Sequence, residues 1–325
     1  MTIGTRRVGK TDVHVTHLSF GCSSLGNMGR VLEDQEATDV LQHAWAAGIR
    51  YFDTAPHYGR GLSEARLGDF LKQKARAEFV VSTKVGRVLR PGPQLAEADG
   101  FLQPLPNAVH YDYSTQGLRE SFEGSCDRLN LSEIDILFVH DLGSYTHGAD
   151  NAGHMDAFLG SGLAELQRLK SAGKIKAFGL GVNETQVCLD VMAQAPLDVI
   201  LLAGRLSLLD RSGVQDGLAE LAKKQGTSLV LGGIFNSGIL ATGAKPGATY
   251  DYGPAPAEVM QAVETLEAEA RAVGLSLAEA ALQFALNHQS ACSTLIGTGK
   301  VSSLERNLKA AQITLTPAAK NFVTL

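Results

Sequence analysis

Four residues of the kinds that transfer protons stand where short apolar segments of the chain end. Asp53, Lys84 and His140 each close an apolar run, and Tyr58 follows Asp53 in a turn rich in proline and glycine. An apolar run that stops at a polar residue before turn residues predicts a buried strand with that side chain at its carboxyl end. If these ends share one edge of a parallel sheet, the four side chains form a proton-transfer site.

The charges of these side chains suggest a role for each. A free tyrosine has a pKa of about 10 and is a poor base near neutrality. An ammonium beside the phenol would lower that pKa, and Asp53 would supply the counter-charge that a buried Lys84 needs. Tyr58 would then act as general acid or base, and His140 would orient a substrate oxygen. Each residue alone could have a purely structural role, such as a helix cap or a loop anchor. The hypothesis of a proton-transfer site therefore rests on the four residues occurring together.

Strands and helices alternate along the rest of the chain. The predicted strands cover residues 18–21, 50–53, 79–84, 134–139, 177–181, 199–202, 228–231 and 294–296. The predicted helices cover residues 34–47, 63–72, 115–129, 163–172, 184–195, 214–225, 257–273, 277–288 and 302–311, with Ser63 as one N-cap. This alternation predicts an α/β fold, a (β/α)8 TIM barrel that forms a single domain over residues 1–325.

Three segments fall outside this alternation. Residues 6–15 predict a β-hairpin that closes the bottom of the barrel. Residues 85–113 and 141–160 predict long irregular loops at the C-terminal rim, where loops are often functional. A doubly wound sheet is the alternative fold, but the residues after the first predicted strand, 21–26, do not satisfy GxGxxG.

The composition excludes several classes of protein. The 325 residues carry a net charge of −5 without a lysine- or arginine-rich run, so we expect no nucleic-acid surface. No apolar run is long enough to span a membrane, and the N-terminus lacks the apolar core of a signal peptide. Cys22, Cys126, Cys188 and Cys292 are far apart, which predicts reduced thiols, no metal site and a cytoplasmic location.

Several motifs resemble those of the aldo-keto reductase superfamily. GIRYFDTAPHYGRGLSEARLG resembles its FDTA-x-x-YG signature, and FVVSTKVG, IDILFVHD and GKIKAFGLGVNE resemble three further segments. By this resemblance Asp53, Tyr58, Lys84 and His140 are the catalytic tetrad. The resemblance also implies that NAD(P)H binds without a Rossmann domain.

The same resemblance implies the cofactor contacts. Asn183 would bind the nicotinamide carboxamide, the turn after the seventh strand would wrap the pyrophosphate, and residues 297–307 would bind the adenosine end. The candidate cofactor contacts are Gly21, Cys22, Ser23, Asp53, Asn183, Gly232, Gly233, Phe235, Asn236, Ser237, Gly297, Thr298, Gly299, Lys300, Ser303, Arg306 and Asn307.

The chain departs from the superfamily's pattern at several of these positions. Val182 and Ala203 replace a serine and a glutamine, and Gly232 replaces a ring-stacking tyrosine of many members. Gly297 and Ser303 stand where NADP-selective members carry basic side chains. Because a 2′-phosphate prefers charged donors, we expect NAD to be preferred and NADP to be possible.

HDLGSYTHG and LGGIFNSGIL resemble the branch of the superfamily that oxidises aldoses such as L-fucose, D-threo-aldoses and L-galactose. That implies oxidation of a cyclic hemiacetal at C1 to a lactone. Oxidation of pyridoxal to its lactone with NAD, as in a related member, is the alternative. A regulatory, nicotinamide-binding subunit with little turnover remains a third possibility. The expected pocket residues for a small-molecule substrate are Ser24, His57, Tyr58, Tyr113, His140 and Tyr145, and the oligomeric state stays open.

Overall fold

A closed barrel of eight parallel strands is the central feature of the computed structural model, which describes residues 3–324. Each barrel strand pairs with the next one along the chain, and the eighth pairs with the first. The barrel strands are Leu18–Gly21, Tyr51–Asp53, Val80–Val85, Ile134–His140, Ile175–Val182, Val199–Ala203, Ser228–Gly232 and Ala291–Ile296. The predicted (β/α)8 fold is therefore confirmed.

The α-helices of the described residues surround this barrel. They are Asp34–Ala46, Leu62–Leu71, Thr115–Leu129, Ser144–His147, Asn151–Ala157, Leu163–Ser171, Gln186–Met192, Ser212–Gln215, Leu218–Gln225, Ile239–Thr242, Ala257–Ala272, Leu277–Asn287, Val301–Ala311 and Pro317–Thr324. Between residues 3 and 324, no helix is both long and apolar enough to cross a membrane. Helix Asp34–Ala46 shows why the sequence pattern succeeds, since Val40, Leu41 and Ala44 share one buried face.

The N-terminal hairpin lies where the sequence placed it. Its strands Thr5–Arg7 and His14–Thr16 pair antiparallel. Arg6 donates a hydrogen bond to the carbonyl of Ala291 at 2.5 Å, and the backbone N–H of Gly9 donates to Ser228 Oγ at 2.7 Å. Both acceptors lie at the start of barrel strands, so the hairpin closes the N-terminal end of the barrel.

The prediction of an irregular loop over residues 85–113 was wrong. Arg87–Pro91 pairs antiparallel with Asn107–Tyr111, and a shorter pair joins Glu97–Ala98 to Phe101–Leu102. The prolines correctly exclude a helix, but they sit at strand ends and turns, where the missing N–H costs no ladder bond. The segment is therefore a pair of small hairpins on the rim.

The second predicted loop, residues 141–160, was also wrong. It contains helices Ser144–His147 and Asn151–Ala157, with a single 3-10 turn between them. A short π-helix, Phe158–Gly162, then leads directly into the predicted helix from residue 163. The glycines of residues 141–160 suggested a loop, but the segment is mostly helical in the folded protein.

Several predicted helices differ in detail, and the one predicted over 184–195 spans only Gln186–Met192. The helix over 214–225 is divided at Gly217, whose φ of 83° interrupts it. The helix over 63–72 begins one residue earlier, and Ser63 is not its N-cap. Its hydroxyl donates to the carbonyl of Cys22 at 2.7 Å instead, which ties the helix to the loop after the first barrel strand.

Candidate active site

Asp53, Lys84 and His140 lie together at the carboxyl end of the barrel, at or beside the ends of the second, third and fourth strands. Lys84 Nζ lies 2.7 Å from Asp53 Oδ2 and 3.1 Å from the hydroxyl of Tyr58. Its third donor reaches the carbonyl of Thr54 at 2.8 Å. All three protons of the ammonium are thus used, and the lysine points at the phenol.

Barrel register and one glycine explain how a lysine fits here. Both Asp53 and Lys84 are only 2% exposed. Asp53 accepts a second hydrogen bond from Ser82 Oγ at 2.6 Å across the neighbouring strand. A Cβ added at Gly181 would lie 3.4 Å from Lys84 Cε and 3.2 Å from Phe138 Cβ, so this glycine leaves room for the lysine stem.

A close approach between two loops holds Tyr58. A Cβ at Gly26 would lie 2.5 Å from the carbonyl carbon of Tyr58, closer than any side chain allows. Gly59 meets Gly26 from the other side with a φ of 63°, which favours glycine. The His140 ring stands edge-on to the Tyr58 ring, with 6.0 Å between centroids. The predicted tetrad is thus one contiguous cluster.

The electrostatics differ from the sequence-based expectation in one respect. Burial raises the pKa of Tyr58 to about 12, and the ammonium of Lys84 only partly offsets this. The expectation that Lys84 lowers the pKa of Tyr58 overall is wrong, because desolvation of the phenolate has a larger effect than the nearby ammonium. Burial would lower the pKa of Lys84, but Asp53 and Tyr58 together raise it, so the ammonium stays charged.

Both histidines of the cluster are neutral. Burial, helped by Arg87 and Lys84, holds the pKa of His140 well below its usual value. The same causes lower the pKa of His57 to about 2. His140 can therefore donate one hydrogen bond to a substrate oxygen, but it is not a charged acid at neutral pH.

An ion pair that sequence reasoning missed lies beside His140. Arg87 pairs with Asp141, and Asp141 Oδ2 lies 3.3 Å from His140 Nε2. Both side chains are nearly buried, at 10% and 12% exposure. Their positions could have indicated the pair, since Asp141 directly follows the fourth strand and Arg87 comes two residues after the end of the third.

The predicted pocket residues take different places. His57 stands edge-on to Phe101 at 5.3 Å and faces His140 at 5.9 Å. Phe101, which was not predicted, also lies 6.0 Å from the Tyr58 ring and forms an aromatic wall. Tyr113 is fully buried, and its hydroxyl donates to the carbonyl of His140 at 2.8 Å. It therefore holds the backbone of His140 in place and does not line the pocket.

Several buried polar atoms of this pocket have no hydrogen-bond partner among residues 3–324. They are Ser24 Oγ, His57 Nδ1, Arg87 Nε and His140 Nδ1. Buried polar groups are normally paired. Further unpaired buried atoms lie outside this site, among them His17 Nε2, Ser121 Oγ and Thr294 Oγ1, so the feature is not confined to the pocket.

The predicted cofactor turn after the seventh barrel strand has an unusual backbone. Gly233, Asn236, Ser237 and Gly238 all have left-handed φ values, from 44° to 100°. Turns of this kind direct backbone N–H groups towards an anion. The Asn236 side chain is engaged elsewhere, because it accepts from Ser207 Oγ at 2.5 Å and donates to the carbonyl of Gly204 at 3.0 Å. Its backbone N–H is also used, since it donates to the carbonyl of Gly233 at 2.8 Å.

The remaining cofactor candidates lie at or after the ends of the fifth and eighth barrel strands. Asn183 directs its amide nitrogen to the rim, 3.2 Å from the hydroxyl of Tyr252. A Cβ at Gly297 would lie 2.8 Å from the carbonyl of Gly21, so the first and eighth strand ends touch. Arg306 lies at the far end, 2.8 Å from Ser303 Oγ. The assignment of the nicotinamide carboxamide to Asn183, of the pyrophosphate to the turn after the seventh strand and of the adenosine end to residues 297–307 stays a prediction.

Comparison with known proteins agrees with this geometry. The sequence profile of the Aldo/keto reductase family matches residues 17–321. The chain belongs to this family. It is an oxidoreductase of the aldo-keto reductase type, and the family uses nicotinamide cofactors.

Curated relatives cover nearly the whole chain. Pyridoxal 4-dehydrogenase of Microbacterium luteolum is 41% identical over 93% of this chain and 91% of its own length. D-threo-aldose 1-dehydrogenase of a Pseudomonas species is 37% identical over 91% and 89%. A solved aldo-keto reductase of Bacillus halodurans in its holo form, 24% identical, has the same fold, with a TM-score of 0.75 over 99% of this chain and 95% of that one.

Proposed function

We propose that the protein oxidises a cyclic hemiacetal to a lactone, with an aldose oxidised at C1 as the first candidate substrate and NAD as the preferred cofactor. The observation that carries this proposal is the buried relay in which Lys84 Nζ bridges Asp53 and the Tyr58 hydroxyl. Such a relay suits reversible proton transfer to an oxygen beside the reacting carbon.

The residues divide the chemistry as follows. Tyr58, as phenolate, removes the proton of the hemiacetal O–H while the C1–H bond breaks and the C1=O bond of the lactone forms. An oxidised nicotinamide, which Asn183 and the turn after the seventh strand would hold, would accept the hydride from C1. Lys84 stabilises the phenolate, and Asp53 keeps Lys84 charged and in place. His140, in the tautomer that keeps its single N–H for the substrate oxygen and not for Asp141, would orient that oxygen.

The polar side chains that border the pocket favour a polyol. An aldose carries several hydroxyl groups that both donate and accept, so it would suit a pocket bordered by polar side chains such as His57, His140 and Arg87. The Arg87–Asp141 pair would add a donor and an acceptor to the same wall. The D-threo-aldose 1-dehydrogenase relative supports this substrate class.

Pyridoxal is the second candidate because two observations favour it. The relative with 41% identity is named for it. The Phe101 and His57 rings also form an aromatic corner beside Tyr58, against which a pyridine ring could pack. Both substrates are cyclic hemiacetals, so the same proton relay serves either.

Steady-state reduction of NAD and of NADP with L-fucose, D-threo-aldoses and pyridoxal tests the proposal. We expect turnover with at least one hemiacetal, and a Tyr58→Phe variant that loses about 10²- to 10⁴-fold in kcat while it still binds NAD. Calorimetric titration with NAD is the control for folding. The absence of turnover on every sugar, on pyridoxal and on simple aldehydes would instead favour the regulatory alternative, and a fully active Tyr58→Phe variant would remove Tyr58 from the mechanism.

A further inference from the structure

A small hairpin over residues 249–254 carries a strained tyrosine at the rim. Its strands Thr249–Tyr250 and Gly253–Pro254 are joined by Asp251 and Tyr252, with φ values of 50° and 63°. A two-residue turn with both φ values positive usually takes asparagine and glycine. For a bulky tyrosine this conformation is a genuine outlier, and such strain persists where the surroundings enforce it and often where function needs it.

Three contacts enforce the conformation. Arg205 Nη2 lies 2.9 Å from both carboxylate oxygens of Asp251. The backbone N–H of Tyr252 donates to Ser237 Oγ at 2.9 Å, and Thr249 Oγ1 donates to the carbonyl of Ser237 at 2.7 Å. Ser237 belongs to the left-handed turn that we assign to the pyrophosphate, so the hairpin is fastened to the cofactor groove itself.

The position of the Tyr252 side chain is the second observation. Its hydroxyl accepts a hydrogen bond from Asn183 Nδ2 at 3.2 Å. The residue nevertheless remains 67% exposed, more than any other exposed large hydrophobic residue between 3 and 324. A ring held by its hydroxyl over the groove, with its surface open, can pack against a planar group. The nearby strand ends Ala203 and Gly232 provide no ring of their own.

We propose that Tyr252 is a positioning residue for the nicotinamide ring. Without cofactor, its hydroxyl accepts the amide proton of Asn183. With cofactor, the carboxamide takes over that proton, and the Tyr252 ring lies against the nicotinamide ring and holds it in the groove. This inference rests on the proposed function, because it requires a nicotinamide at Asn183.

Binding of NAD to three variants, measured by calorimetry without substrate, tests the inference. Tyr252→Gly removes the ring and also relieves the strain, because glycine adopts a positive φ without a steric penalty. We expect its Kd for NAD to rise about tenfold while its Tm stays equal or increases. Tyr252→Phe keeps the ring and frees Asn183, so its Kd should equal the wild-type value or be lower. Tyr250→Phe is the matched control, since Tyr250 OH lies 3.2 Å from Asp210 Oδ2.

The outcomes separate the two proposals. A Tyr252→Gly variant that binds NAD with the wild-type Kd would overturn the positioning role, whatever its Tm. Equal losses in Tyr252→Gly and Tyr252→Phe would overturn packing of the ring, because only the hydroxyl would then matter. A wild-type protein that binds neither NAD nor NADP would refute the proposed function instead.

Discussion

Lys84→Met tests the electrostatic core of the site most directly. Methionine has nearly the length of the lysine stem and no charge, so it keeps the packing and removes only the ammonium. With Lys84 Nζ 3.1 Å from the Tyr58 hydroxyl, the ammonium stabilises a phenolate by about 5 kcal/mol at an effective dielectric constant of about 20. That energy corresponds to about 4 pKa units.

The expected consequence is a large loss of turnover. A pKa higher by about 4 units lowers the phenolate population about 10⁴-fold near neutral pH. The stronger base that remains recovers part of this loss, so we expect kcat/KM for hemiacetal oxidation to fall by at least about a hundredfold. The formation of reduced nicotinamide, followed by its absorbance, measures this, and calorimetric NAD binding should stay near the wild-type value.

A folding defect must be separated from this effect. Lys84→Met leaves the Asp53 carboxylate buried with Ser82 as its remaining side-chain partner, which costs about 3–5 kcal/mol. The double variant Asp53→Asn/Lys84→Met removes both charges and should recover most of the Tm without recovering turnover. If Lys84→Met keeps more than about a tenth of the wild-type kcat/KM, the lysine does not act on the phenol and the reasoning fails.

Three further outcomes follow from the same contacts. Because the pKa of Tyr58 is raised and both histidines are neutral, kcat/KM for oxidation should rise with pH between about 7 and 10, and a histidine-like inflection near pH 6.5 would contradict this. NAD should bind more tightly than NADP, and Arg306→Gln should raise the Kd of NADP alone; equal effects on both nucleotides would refute the assignment. Hydrogen bonds from Arg168 and Arg119 lower the pKa of Glu165 from 4.5 to about 2, so the carboxylate stabilises the fold above about pH 4.5 and less below it. Glu165→Gln should thus lower the free energy of unfolding by about 1–3 kcal/mol at pH 7 in urea titrations, a difference that shrinks towards pH 2.

The sequence predicted the barrel and the tetrad because both depend on local patterns. A buried strand reveals itself by an apolar run, and a polar residue at its end is visible in the same run. The register that brings Asp53 opposite Ser82 and Lys84 opposite Phe138 then follows from the closed barrel. That the whole chain forms one domain stays a prediction.

The rim was predicted poorly because its structure depends on tertiary contacts. The strand pair Arg87–Pro91 and Asn107–Tyr111 joins residues that are far apart in a segment with several prolines. No alternation of apolar and polar residues in the sequence indicates it. The direction of the Tyr58 pKa shift was missed for a related reason. Proximity to Lys84 can be inferred from strand order, whereas the extent of desolvation depends on how Phe101 and His57 enclose the ring.

The proton relay and the residues around it differ in the strain of their backbone. Asp53, Lys84 and His140 stand on regular strands, whose conformation any side chain can adopt, whereas Tyr58 lies in the turn after the second barrel strand. Some of the residues around the relay are left-handed although they are not glycine, such as Asp141, Asn236 and Tyr252, with φ values of 48°, 44° and 63°. Each such residue costs stability and persists because side-chain contacts hold it. Substitutions on the rim can therefore change which hemiacetal or nucleotide binds while the relay itself stays intact.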